Sequence, residues 1–314
     1  MPQPVTHDKW VGRLTTIRKV DEMLIERAPL TNRIGFMQGR LAEPVDDRSR
    51  TAHWDSWRGE FPTAQQYGFG TMEWRLGEEP ILMNPLMSAS GRAEMRSLCG
   101  EFGISIPSLA ADFITQAPFY KVSGRERRAR LDVLSAVLEA CAEVGIGLLV
   151  VPLVNGGKLC TSREIESLRS GLDQVAALLD ATGIVLAFES DFDPPRLASL
   201  IGQYPAERFG ITYDIGDSVS LGFDSGEEIA TYGNRIVNVH VKDWIPWGGG
   251  VPWGAGCGNL ASTLSQLRRA GYQGNLILQT PIAASCRAGL LAQYRAITET
   301  WWSLVEPDRF RLRL

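Results

Sequence analysis

Four polar side chains close four successive apolar runs: Glu189 in VLAFES, Asp214 in FGITYDIGD, His240 in IVNVHVKD and Gln279 in NLILQTPI. Two carboxylates, an imidazole and an amide brought to one point form a donor set for a divalent cation, with oxygen in the majority. A single strand-end acid often does no more than cap its own strand. Four polar ends in succession favour a shared site, because buried acids rarely go unpaired.

The elements that must carry these groups can be read from the same pattern. Each run between Val185 and Ile282 opens on aliphatic or aromatic residues, as strands buried on both faces of a parallel sheet require. Four earlier runs repeat the pattern: RIGFMQGRL (33–41), TMEWRL (71–76), SIPSLAADFI (105–114) and LLVVPLV (148–154). Helices are predicted over Arg92–Phe102, over Arg125–Val144 behind a Ser123/Glu126 capping box, and over Ser162–Ala181 behind a Thr161/Glu164 box. Gly103, Gly145 and Gly183 follow these three, where a left-handed cap favours glycine. Further helices fall near Pro195–Gln203, Gly226–Tyr232, Leu260–Ala270 and Leu290–Val305. Strands and helices in alternation predict an α/β fold, a (β/α)8 TIM barrel over residues 33–305, with the strand ends converging on one catalytic mouth. Residues 1–32 form an N-terminal extension, in which Trp10, Leu14, Ile17 and Leu24 give an amphipathic helix over 8–28, and 306–314 form a tail.

Composition narrows the function. The 314 residues suit one barrel of about 250 residues with extensions. A hydrophobic fraction of 44% allows a large core, and a net charge of −4 offers no basic surface to nucleic acid. The five cysteines are odd in number and form no CxxC pair, which fits reduced thiols and a cytoplasmic location. The N-terminus lacks a long apolar signal-peptide core, and no run approaches the 18 apolar residues of a membrane span. No GxSxG, Walker loop or HExxH pattern is present.

The segments GFMQGRL (35–41), EF (60–61), MEW (72–74), FESDFDP (188–194), YDIG (213–216), NVHVKD (238–243) and LRRAGYQGNLILQT (267–280) together resemble the xylose isomerase-like barrel superfamily, and within it the sugar phosphate isomerase/epimerase group. The resemblance runs from about residue 33 to 303. It implies one divalent ion, Mn, Mg, Co or Zn, on Glu189, Asp214 and His240. At the fourth ligand position the epimerases carry glutamate, and this chain has Gln279. An amide can lend its carbonyl oxygen to a metal but cannot carry a substrate proton. The group's DNA-repair nuclease needs several histidines for its zinc ions; only His7, His53 and His240 occur here.

Isomerisation or epimerisation beside a carbonyl needs a base and a stabilised enediolate. Glu189 is the expected base, and Lys242, on the same strand face as His240, is the second expected catalytic group. Epimerisation moves protons on both faces of one carbon, and the epimerases do so with two glutamates. With one glutamate at the matching positions, aldose–ketose isomerisation is the leading expectation, ahead of epimerisation, of elimination from a keto-sugar, cyclitol or glycoside, and of a non-catalytic sugar-binding barrel. Glu73, Asp112 and Asp191 are expected to bind substrate hydroxyls, although each could equally cap its own element. Trp54, Trp57, Trp244, Trp247 and Trp253 are expected to pack on the sugar, while Trp74 reads as core. The glycine-rich PWGGGVPWGAGCGN, ending at the candidate helix cap Asn259, reads either as a plain turn or as a phosphate-holding segment. The apolar N-terminal stripe and the tryptophan-rich rim predict a homodimer or tetramer acting on a small carbohydrate.

Overall fold

The computed structural model describes residues 33–41, 56–77, 81–245, 249–251, 256, 258–279 and 294–300. The expected helix over 8–28, the tail, and Trp54, Trp247 and Trp253 lie outside these residues.

Eight strands close into a barrel: β1 (Ile34–Met37), β2 (Thr71–Arg75), β3 (Ser105–Ala110), β4 (Leu148–Leu153), β5 (Val185–Ser190), β6 (Phe209–Asp214), β7 (Ile236–Val241) and, after two short strands, β10 (Asn275–Leu278). The order around the barrel is β1-β10-β7-β6-β5-β4-β3-β2, and neighbours run parallel. This is the (β/α)8 arrangement expected from the alternating pattern. Leu149, Leu186 and Phe188 are fully buried on β4 and β5, each contributing on the order of 1.5–3 kcal/mol relative to exposure. Truncating Leu186 to alanine would cost roughly 2–5 kcal/mol through the cavity left behind.

The helices are α1 (Trp57–Tyr67), α2 (Ala89–Phe102), α3 (Asp112–Gln116), α4 (Gly124–Val144), α5 (Ser162–Thr182), α6 (Pro194–Ile201), α7 (Ile215–Leu221), α8 (Ser225–Tyr232) and α9 (Leu260–Arg269), with residues 294–300 helical beyond them. Gly103, Gly145 and Gly183 take left-handed caps at φ 66°, 83° and 70°. The Thr161/Glu164 capping box forms on both sides. The Ser123/Glu126 box does not: Ser123 makes no side-chain cap bond, and Glu126 turns along the helix to pair with Arg130.

Four local departures shape the mouth. β1 stops at Met37 because Gly39 adopts φ 91° and the chain turns, with Arg40 N donating to Met37 O at 3.2 Å. The segment after it holds helix α1 instead of a plain loop; Gly59 and Pro62 within it hide the helical period. Asp112 opens α3 instead of continuing β3. Asp214 ends β6 and caps α7, its Oδ1 accepting from Asp217 N at 2.9 Å, so IGD continues as helix and not as strand. In the glycine-rich segment, β8 (Asp243–Ile245) pairs antiparallel with β9 (Gly249–Val251). Among the described residues, no helix is long and apolar enough to cross a membrane.

Candidate functional site

Strand register brings the chemistry together. Asp214 on β6 pairs directly with His240 on β7, and His240 pairs with Ile277 on β10, two residues before Gln279. Glu189 lies one residue from the end of β5. Ligand atoms of Glu189, Asp214 and His240 lie within 4.8 Å of one another. His240 Nδ1 is 3.3 Å from Glu189 Oε1, 3.9 Å from Asp214 Oδ2 and 2.8 Å from the Gln279 amide. All four strand-end groups predicted to converge do so.

The inward column of β7 explains the aim of the imidazole. Alternation sends Asn238, His240 and Lys242 to one face. Below the mouth, Glu73 crosses from β2: its Oε1 meets His240 Nε2 at 2.7 Å, and its Oε2 accepts from Asn238 Nδ2 at 2.9 Å and Ser108 Oγ at 2.8 Å. Glu73 is fully buried. It therefore holds the imidazole from beneath, where a substrate hydroxyl does not reach, which corrects its expected place at the substrate. With Nε2 occupied, Nδ1 is the nitrogen offered to the mouth, the arrangement that orients histidine ligands in metal sites.

The electrostatics fit a cation. Burial alone would lower the His240 pKa, but the charge of Glu73, followed by Glu189, outweighs it and holds the ring well above its ordinary value. Burial raises the Asp214 carboxyl, opposed by Lys242. Lys242 Nζ lies 2.8 Å from Asp214 Oδ2 and 2.7 Å from Asp217 Oδ1. Burial would lower the lysine, yet Asp214 and then Asp217 raise it. Three carboxylates thus surround one imidazole, and two surround one ammonium. Two carboxylates and a directed imidazole make a donor set able to hold a divalent ion, with the Gln279 amide beside them turning its nitrogen to His240 Nδ1.

These groups open on a cavity of about 300 Å³, with Glu189, His240, Lys242 and Gln279 on one side and Arg40, Arg75 and Asp112 on the other. Asp112 is ion-paired with Arg75. Asp191 stands outside the cavity wall, paired with Lys158 at 2.7 Å. Trp244 is half-buried with its ring 5.6 Å from Lys242 Nζ, and it does not line the cavity. Trp57 is not at the mouth: it is 2% exposed and packs edge-on against Trp74 at 5.5 Å. It faces the core because α1 turns that side of the helix onto the barrel wall. The charged cavity residues missed from sequence are Arg40, Arg75 and Asp217; a charged side chain at a strand end or within three residues of it was the available signal.

Two described residues at the end of the glycine-rich segment have their polar groups engaged. Gly256 N donates to Asp243 Oδ2 at 3.0 Å, and Asn259 Oδ1 caps Ser262 N at 3.2 Å. A Cβ on Gly256 would fall 1.8 Å from Asp243 Oδ1, so glycine is needed here for close approach.

The fold and site define a closed parallel barrel whose strand ends carry an acid–imidazole triad able to hold a metal ion. The chain belongs to the xylose isomerase-like TIM barrel family, whose sequence model matches residues 61–297. It is similar to 2-epi-5-epi-valiolone 7-phosphate 2-epimerase of Actinoplanes sp., at 26% identity over 188 residues, covering 58% of this chain and 67% of that one. It is also similar to SgbU of Escherichia coli K12, assigned as an L-ribulose-5-phosphate 3-epimerase, at 23% identity over 243 residues, covering 71% and 83%. Among solved structures, the IOLI protein with a binding zinc atom superposes with a TM-score of 0.64 at 15% identity, covering 87% of this chain and 99% of that one.

Proposed function

We propose that this protein is a metal-dependent epimerase acting on a small polyhydroxy carbonyl compound. One observation carries the reading: Glu189 stands 3.3 Å from His240 Nδ1 at the edge of a 300 Å³ cavity, placed both to ligate a cation and to face a substrate. The two curated relatives are epimerases, which favours this over the aldose–ketose isomerisation expected from sequence. The zinc of the IOLI structure supports a divalent ion on Glu189, Asp214, His240 and Gln279. When bound, that ion supplies Lewis-acid stabilisation of the enediolate.

Glu189 removes the acidic C–H proton from one face of the carbon. Gln279 cannot return a proton to the other face. Lys242, its ammonium held between Asp214 and Asp217 at the cavity wall, delivers that proton. Glu73, Asn238 and Ser108 keep the imidazole aimed while charge moves above it.

The test is a panel of ketoses, keto-cyclitols and their phosphates, incubated in D2O with divalent metal and followed by NMR. Epimers carrying one deuterium at the inverted carbon are the expected product. A ketose converted to its aldose instead establishes isomerisation, the reading favoured by the amide at position 279 because one carrier on one face suffices. Loss of water or of an aglycone rejects both.

A further inference from the structure

We propose that the substrate carries an anionic group, a phosphate monoester or a carboxylate, at the end remote from Glu189, and that Arg40 and Arg75 bind it. The proposal rests on reading the cavity above His240 as the active site.

Both arginines line the same cavity as Glu189 and His240, Arg75 at the end of β2 and Arg40 on the turn after the neighbouring β1. The cavity therefore has two poles: acids with His240 and Lys242 on one side, guanidinium groups on the other. Among the described residues lining it, the pole near β1 holds two guanidinium groups and one carboxylate. Asp112 is the single carboxylate in ion-pair reach of Arg75 among the described residues, and none there lies in reach of Arg40. Burial, followed by repulsion from Arg75, lowers the Arg40 pKa to about 10, against the weaker attraction of Asp112 and Glu60. A half-buried cation beside a like charge is costly until an anion joins them, and planar guanidinium groups match phosphate and carboxylate oxygens.

The pole is also rigidly built. Arg40 sits on the turn that Gly39 permits, and buried Glu60 ties that turn down. It accepts from Gly39 N at 2.9 Å, Leu41 N at 3.2 Å and Gln38 Nε2 at 3.2 Å. Asp112 fixes Arg75. The glycine-rich segment, the alternative anion holder, has Gly256 N committed to Asp243 and the α9 cap committed to Asn259.

The test is calorimetric titration of the purified full chain with methyl phosphate and, separately, with acetate, in the wild type and in Arg40→Gln, Arg75→Gln, Arg40→Lys and Glu189→Gln. One of the two anions should bind the wild type, and the tighter one identifies the source. Arg40→Gln should raise its Kd by about tenfold or more, as loss of a charge-assisted contact predicts. Arg40→Lys should recover part of the loss, and Glu189→Gln should bind as the wild type does. A melting curve on each variant separates lost binding from lost fold, with Arg75→Gln as the second route. No binding of either anion overturns the proposal. So does binding that survives both arginine variants and disappears in Glu189→Gln, which would put the anion on the metal ligands. Titration needs no turnover, so failure of the epimerase reading leaves this result standing; turnover of neutral sugars without anion binding would reject this proposal alone.

Discussion

Glu73 spans the barrel from β2 and holds His240 Nε2 at 2.7 Å, although 167 residues separate the two in the chain. The contact sets which imidazole nitrogen faces the mouth. It also places a carboxylate beneath the ring, which increases the donor strength of Nδ1.

Glu73→Gln keeps the shape and removes the charge. It should weaken divalent-metal affinity by about 10–100-fold while the barrel stays folded. Competition with a chromogenic chelator measures the affinity, and a melting curve checks the fold. Wild-type affinity in the variant would show that Glu73 fills space and nothing more.

Gln279→Glu puts a carboxylate where the amide nitrogen now sits, 2.8 Å from His240 Nδ1. Metal should bind more tightly. Native turnover should fall, because a fourth negative charge opposes an anionic intermediate nearby and shifts the basicity of Glu189. Tighter metal with full turnover would remove position 279 from the chemistry.

Burial raises the Glu60 carboxyl to about 7, against the pull of its hydrogen bonds to Gly39 and Leu41. The folded pKa is above the unfolded one, so the folded state holds the extra proton between them. This contribution to stability is present at low pH and is lost as pH rises from about 4.5 through about 7, amounting to roughly 3 kcal/mol. Urea unfolding at pH 5 and pH 8 should show the loss in the wild type and a flatter profile in Glu60→Gln. Parallel pH profiles for the two proteins would contradict the assignment.

Gly216 lies under the stem of Lys242, and a Cβ there would come 2.3 Å from Lys242 Cγ. Gly216→Ala should therefore displace the lysine from Asp214 and Asp217, costing roughly 1–3 kcal/mol of overpacking strain. Denaturant unfolding reads the stability, and the turnover assay reads the displaced ammonium. An unchanged protein by both measures would mean that the stem moves aside freely.

The barrel and its four strand-end groups were legible because burial on both faces leaves a continuous apolar run with one polar stop, as at Phe209–Asp214. What escaped depended on contacts distant in sequence. Nothing near Trp57 says that its ring meets Trp74 instead of solvent, and nothing near Glu73 says that its partner is on β7. Helix α1 was hidden by its own Gly59 and Pro62, and the start of α7 by β-branched residues that favour a strand until Asp214 caps them as helix. Arg40 belongs to the cavity only through a turn whose anchor, Glu60, lies on a different element.

The imidazole is anchored from below by a group on another strand, while residue 279 meets the opposite nitrogen, Nδ1, at 2.8 Å. The buried aiming layer and the position proposed to choose the reaction thus act on opposite edges of one ring. Residue 279 can then be exchanged as a module, amide for acid or acid for amide, against an otherwise unaltered frame. A redesign that seeks a new proton-transfer outcome would start at that one side chain and leave the buried layer of Glu73, Ser108 and Asn238 untouched.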